Sequence, residues 1–152
     1  MLKNQNDIYT DSNGSKFLLD DFIYESEFGT LAGGDVILNI VNIDADSDFV
    51  WVKTSFENMP NAGGTTPGRI ESLLTIPNVL VAINDPLSGR YLQNKPVPIN
   101  NFAGRAGLPT VLSIPREFKA KSGINITCSN IGVAANGLSL KISLIGYKKF
   151  RL

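Results

Sequence analysis

Short stretches in which apolar and polar residues alternate recur along this chain about every ten residues, each bounded by Gly, Pro, Asn or Asp. No stretch keeps the spacing of an amphipathic helix. This pattern constrains the fold more than any other feature. Period-two alternation turns one face of an extended segment to the core and the other to water. About eight such segments with no helix between them can bury their apolar faces only against one another, as a sandwich or barrel. At 152 residues the chain has the length of one domain. The expectation is all-β: a single antiparallel β-sandwich, jelly-roll-like, over residues 16–152. Residues 1–15, polar apart from Leu2, Ile8 and Tyr9, form an extended N-terminal arm that ends at the turn Asn13-Gly14.

Within the sandwich, residues 16–25 read as a strand with an irregular middle at Asp20-Asp21. Residues 35–43 are apolar on both faces, which predicts a central strand. Residues 49–56 are dense in aromatic and β-branched side chains, and residues 58–68 are a loop of Gly and Pro. Residues 69–75 form a short strand or one helical turn. Residues 78–84 are a strand closed by the turn Asp85-Pro86-Leu87-Ser88-Gly89. The proline-bearing segments 91–99 and 110–118 suit edge positions. Residues 124–129 and 138–144 alternate cleanly, and Asn136-Gly137 before the second predicts a hairpin joining them.

The chain has no histidine, which removes Ser-His-Asp and Cys-His catalysis, histidine-bearing zinc sites and an imidazole switch. The one cysteine, Cys128, shares a parity with Ile124 and Ile126 and reads as a small core residue. The polar N-terminus has no apolar signal-peptide region, and the longest apolar run, Val79 to Ile83, is far too short to span a membrane. Synthesis in a cytosol is the expectation. The charges balance overall but not along the chain. Residues 1–76 hold 12 acids and 4 bases, and residues 77–152 hold 2 acids and 10 bases. Two charged poles could dock copies together, unless the halves interleave and neutralise each other.

Asp44, Asp46 and Asp48 at alternate positions are the one metal-like constellation. Phe49 and Ser55 stand where a calcium loop of the EF-hand type needs glycine and an acid, so an acidic turn is the preferred reading and no cofactor is expected. The glycine-rich pieces 63–68 and 104–107 lack the phosphate-loop lysine and a following helix. Asn125-Ile126-Thr127 matches a glycosylation sequon that a chain made in a cytosol does not use. The basic end Lys148-Lys149-Phe150-Arg151 could touch phosphates, but no aromatic and basic residues interleave as in single-strand binders, so no nucleic-acid partner is expected. Asp20, Asp21, Glu25 and Glu27 mark no cleft for glycoside hydrolysis. Catalysis is not expected.

One succession is familiar. It runs from Asp85-Pro86-Leu87-Ser88-Gly89-Arg90-Tyr91 through Pro96, Val97, Pro98 and Ile99 to a glycine loop, Leu108-Pro109 and Pro115-Arg116. It closes on Leu144-Ile145-Gly146-Tyr147-Lys148-Lys149-Phe150. Over residues 78–150 the chain resembles small virion proteins of tailed bacteriophages, described as structural, capsid-decorating or cement proteins. The resemblance implies a β-sandwich bound to the capsid surface in many copies, with the major capsid protein and copies of itself as partners. The arm residues Leu2, Ile8 and Tyr9 would then be anchors, with Arg90, Tyr91, Lys148, Lys149 and Arg151 as further interface candidates. Two other roles fit the same fold. One is a portal, neck or tail component. The other is a carbohydrate-binding module using Trp51, Tyr91 or Tyr147, although Trp51 lies among apolar residues that suit a core.

Overall fold

The computed structural model describes residues 8–60, 77–132 and 138–152, without the side chains of residues 59 and 60. Among the described residues, ten strands make two antiparallel sheets: β1 (Ile8–Thr10), β2 (Lys16–Leu31), β3 (Val36–Asn42), β4 (Asp48–Pro60), β5 (Val79–Asp85), β6 (Arg90–Tyr91), β7 (Val97–Pro98), β8 (Thr110–Phe118), β9 (Gly123–Asn130) and β10 (Leu138–Arg151). A helical turn, α1 (Ile99–Phe102), follows β7. The first sheet runs β1-β2-β10-β4-β8, and the second runs β3-β9-β5-β6 with β7 also on β5. From β2 to β5, and again from β8 to β10, each strand lies in the opposite sheet from the one before it. That wrapping is the jelly roll expected from the strand rhythm.

The alternation of the sequence becomes the core. Ile124, Ile126 and Cys128 of β9 and Val79, Val81 and Ile83 of β5 face Leu140, Ile142 and Leu144 of β10 and Phe49, Trp51 and Phe56 of β4. Each fully buried side chain of this kind contributes on the order of 2 kcal/mol. Trp51 is fully buried, and its Nε1–H donates to the Lys53 carbonyl (2.9 Å) and to Thr54 Oγ1 (3.0 Å). The indole also meets the Phe102 ring edge-on at 5.8 Å, which ties α1 into the core.

Three expectations change. Residues 124–129 and 138–144 are not a hairpin, because β9 pairs with β3 and β5 while β10 pairs with β2 and β4. Their apolar faces meet across the core instead of side by side, and alternation cannot distinguish the two arrangements. Asn136 and Gly137 lie outside the described residues. β3 is an edge strand, not a central one, so its outward side chains stay exposed. The N-terminal segment is strand from Ile8, which pairs with Leu18, and Asp11 organises the turn to β2. Asp11 Oδ1 accepts from Asn13 N–H and Ser15 N–H, and Gly14 takes a positive φ of 78°. The extended arm, expected over residues 1–15, is therefore docked from residue 8 onward. Residues 1–7, with Leu2, lie outside the described residues, as do residues 61–76, which include most of the expected glycine loop and the segment 69–75.

Two irregularities shape the first sheet. Opposite Gly146 the β4 ladder skips Val52, and a Cβ on Gly146 would lie 1.8 Å from the Val50 carbonyl oxygen. Only glycine lets the strands approach so closely there. On the other side of β4, Trp51 pairs with Arg116 and Lys53 with Val111, so residues 112–115 of β8 bow out of the sheet around Pro115. Past Thr54 the loop after α1 takes over that edge. Phe56 N–H donates to the Gly104 carbonyl (2.8 Å), and Gly104 N–H donates to that of Thr54 (3.2 Å).

Candidate interaction surface

The candidate residues separate onto opposite lateral sides of the sandwich. On one side Tyr9, Phe17 and Arg151 form a row across β1, β2 and β10. Ile8 and Tyr9 are about half exposed, and Arg151 is exposed. Lys149 sits on the same face, its Nζ 4.3 Å from the centre of the Phe17 ring and 3.4 Å from Glu117 Oε2. The structure thus brings together Tyr9, Lys149 and Arg151.

Lys148 has the opposite parity, and its side chain is buried. Its Nζ reaches Asp44 Oδ2 (2.8 Å) and Asp46 Oδ1 (3.3 Å) and lies 4.2 Å from the centre of the Phe22 ring. It is consumed within the fold and presents no charge to a partner, a correction to its candidacy as an interface residue. The same contacts assign Asp44 and Asp46. Asp48 accepts from Ala120 N–H (2.9 Å) and pairs with Lys119 (2.9 Å), which also bonds Glu117 (2.7 Å). The acidic segment therefore forms lysine-bridged turns, and among the described residues no group of acidic or cysteine side chains gathers as metal ligands.

These contacts also settle the charge question. Acidic β2 lies beside basic β10, with Asp20 opposite Lys148 in register and Glu25 Oε1 3.8 Å from Lys141 Nζ. The two halves of the chain interleave, and their charges face each other inside one molecule.

On the far side Arg90 and Tyr91 form β6, at the end of the turn that the sequence marked. Asp85 Oδ1 accepts from Leu87 N–H (3.0 Å), Ser88 Oγ donates to Asp85 Oδ2 (2.8 Å), and Gly89 has φ 67°. Arg90 and Tyr91 are exposed, as is Leu87. Next along the chain, between residues 92–102 and the bowed part of β8, a cleft of about 400 Å³ opens, with Trp51, Leu92, Val97, Phe102 and Leu112 among its lining residues and Ile114 at its lip. Ile114 is 77% exposed. Of the three aromatics considered for sugar binding, Trp51 belongs to the core, Tyr147 is half-buried on the first sheet and Tyr91 stands on β6, so they share no groove.

Two groups escaped the sequence reading. Val36, Leu38 and Ile40 form an outward stripe on β3, hidden by the assumption that an apolar strand is central. Leu108 stands on the loop before β8 and Ile114 on the part of β8 that leaves β4; proline at 115 was the available sign. Cys128 is fully buried, and burial pushes its thiol pKa up to about 12. Among the described residues, no helix is long and apolar enough to cross a membrane.

No protein-family model matches the chain, and no curated protein matches it. Among solved structures it is similar to a chain of the cyanophage Pam1 capsid asymmetric unit, at 15% identity and a TM-score of 0.39, over 96% of this chain and 94% of that one.

Proposed function

We propose that this chain is a non-catalytic structural virion protein that binds the outside of a bacteriophage capsid and stabilises it. The observation that carries this is the placement of exposed apolar side chains on two opposite sides of a tightly packed sandwich. Tyr9 shares a row with Arg151 on one side, with exposed Ile8 next to it on β1. Ile114 shares a cleft with Arg90 and Arg116 on the other side, where Leu87 and Tyr91 are also exposed. Isolated exposed hydrophobics are ordinary, but apolar anchors with flanking arginines are the composition of protein interfaces. A protein that ties neighbouring capsomers together needs contacts on more than one side. The bacteriophage capsid as partner comes from the sequence resemblance over residues 78–150. The inert Cys128 and the lysine-paired carboxylates suit a role without chemistry.

The test is addition of purified protein to expanded heads that lack it. Saturable binding in many copies, with a raised temperature of head disruption, is the expected result. Failure to bind overturns the proposal. Binding restricted to a small ring at one vertex would instead assign the protein to the portal, neck or tail.

A further inference from the structure

The strand edges of the two sheets are not protected alike. An open edge offers unpaired N–H and C=O groups, and proteins blunt it with short strands, lysine, proline or bulges. β1 has three residues, β6 and β7 have two each, β7 contains Pro98, and β8 carries Pro115 in its bowed segment. β3 has no such device. Its seven residues, Val36-Ile37-Leu38-Asn39-Ile40-Val41-Asn42, include neither charge nor proline, and among the described residues no strand pairs with its outer edge.

The bonds at its two ends set the phase of the ladder. Asn130 N–H donates to the Asp35 carbonyl, and Ile43 N–H donates to the Ser122 carbonyl. Odd-numbered residues therefore bond to β9, and the N–H and C=O groups of Val36, Leu38, Ile40 and Asn42 turn to the open edge. The side chains of Val36, Leu38 and Ile40 form the outward stripe, 67%, 53% and 55% exposed. β1 does not cover this edge. It pairs with residues 16–18, whereas Asn39 of β3 packs toward the other end of β2, donating to the Glu27 carbonyl (2.7 Å).

We propose that the β3 edge is a homotypic pairing surface, at which β3 of one copy adds antiparallel to β3 of a second copy about a two-fold axis. The strand's own sequence selects this occupant. In a two-fold pair, each residue meets the one whose partner it is in return. Full overlap of the seven residues puts the axis at Asn39 and opposes Val36 to Asn42, Ile37 to Val41 and Leu38 to Ile40. Even-numbered residues then face even-numbered residues, which the ladder phase requires for hydrogen-bonded pairs. Leu38 covers Ile40 on the outer face, Ile37 meets Val41 on the inner face, and flanking Asp35 faces Ile43, so no charge opposes its like. A strand of matching length, apolar alternation and zero charge is what this edge needs, and β3 itself has all three properties.

The pairing needs no capsid, so its test is separate from head binding. Analytical ultracentrifugation of the purified full chain should show a reversible dimer. The Leu38→Lys, Ile40→Lys double variant should weaken the dimer by at least about a hundredfold with an unchanged far-ultraviolet spectrum. A second measurement does not rely on that variant folding well. In the paired state Asn39 faces its own copy at a non-hydrogen-bonded position, with Cα atoms about 4.5 Å apart and within disulfide reach. Asn39→Cys should therefore form a covalent dimer on oxidation, while Leu87→Cys on the far side should not. A wild-type chain that stays monomeric up to about 1 mM, a dimer that the lysine variant leaves equally tight, or absence of the Asn39→Cys cross-link overturns the proposal.

Discussion

Lys148 Nζ lies 2.8 Å from Asp44 Oδ2 and 4.2 Å from the centre of the Phe22 ring, on a side chain that is buried while the carboxylate is half exposed. The pair is unequal. Asp44 keeps its water, whereas Lys148 gives up most of its hydration and recovers it from Asp44, Asp46 and an aromatic face. Lys148→Met keeps the apolar stem and releases only exposed partners, so it should shift unfolding by no more than about 1 kcal/mol. Lys148→Ala opens a cavity beneath Phe22 and should cost about 2 kcal/mol. Urea denaturation of both variants measures the difference.

Acid should weaken the fold through the same turn. Hydrogen bonds from Lys148 and then Tyr24 hold the Asp44 pKa below the ordinary 3.8. Burial works against ionised Asp48, but the Ala120 N–H and Lys119 outweigh it and lower its pKa too. A carboxyl with a depressed folded pKa stabilises above its unfolded value, and that contribution disappears as pH falls through the folded value. Thermal midpoints should therefore hold steady down to about pH 5 and fall below about pH 4. The Asp44→Asn, Asp48→Asn double variant should show a shallower fall. Lys119 and Lys148 are shifted upward, Lys119 by Glu117 and Asp48, and Lys148 by Asp44 and Asp46 against the opposing effect of burial. Their stabilisation is complete below the ordinary lysine value of 10.5 and is lost above it.

Gly146→Ala should be among the most damaging single-methyl changes in the chain. Its Cβ would overlap the Val50 carbonyl at the β4 irregularity, where backbone has to move. The expected loss is about 3 kcal/mol. Gly107→Ala meets open space and should stay within about 0.5 kcal/mol. Thermal melts of the two variants give the comparison directly.

Cys128 should be silent toward thiol reagents in the native state. With its pKa pushed up to about 12 and its side chain fully buried, thiolate is scarce and reagents have no access. Labelling with a chromogenic disulfide at pH 8 should wait on opening of the fold and complete at once in denaturant. Rapid native labelling would place β9 nearer the surface than its packing indicates.

Alternation along Ile124, Ile126 and Cys128 and along Leu140, Ile142 and Leu144 determined which faces are buried. The missing histidine determined which chemistries were out of reach, and Asp85 to Gly89 spelled a turn from its own local hydrogen bonds. These properties are local, since period two and turn chemistry depend on a few neighbouring residues. Only the tertiary structure decided that β9 and β10 face each other across the core instead of pairing, and that Lys148 goes inside while Lys149 lies along the sheet surface. It also decided that β3 stands at an edge with Val36, Leu38 and Ile40 exposed. Sheet neighbours are chosen by contacts far apart in sequence. A strand reports which of its faces is apolar, but it carries no record of whether water, another strand or another molecule will meet its edge.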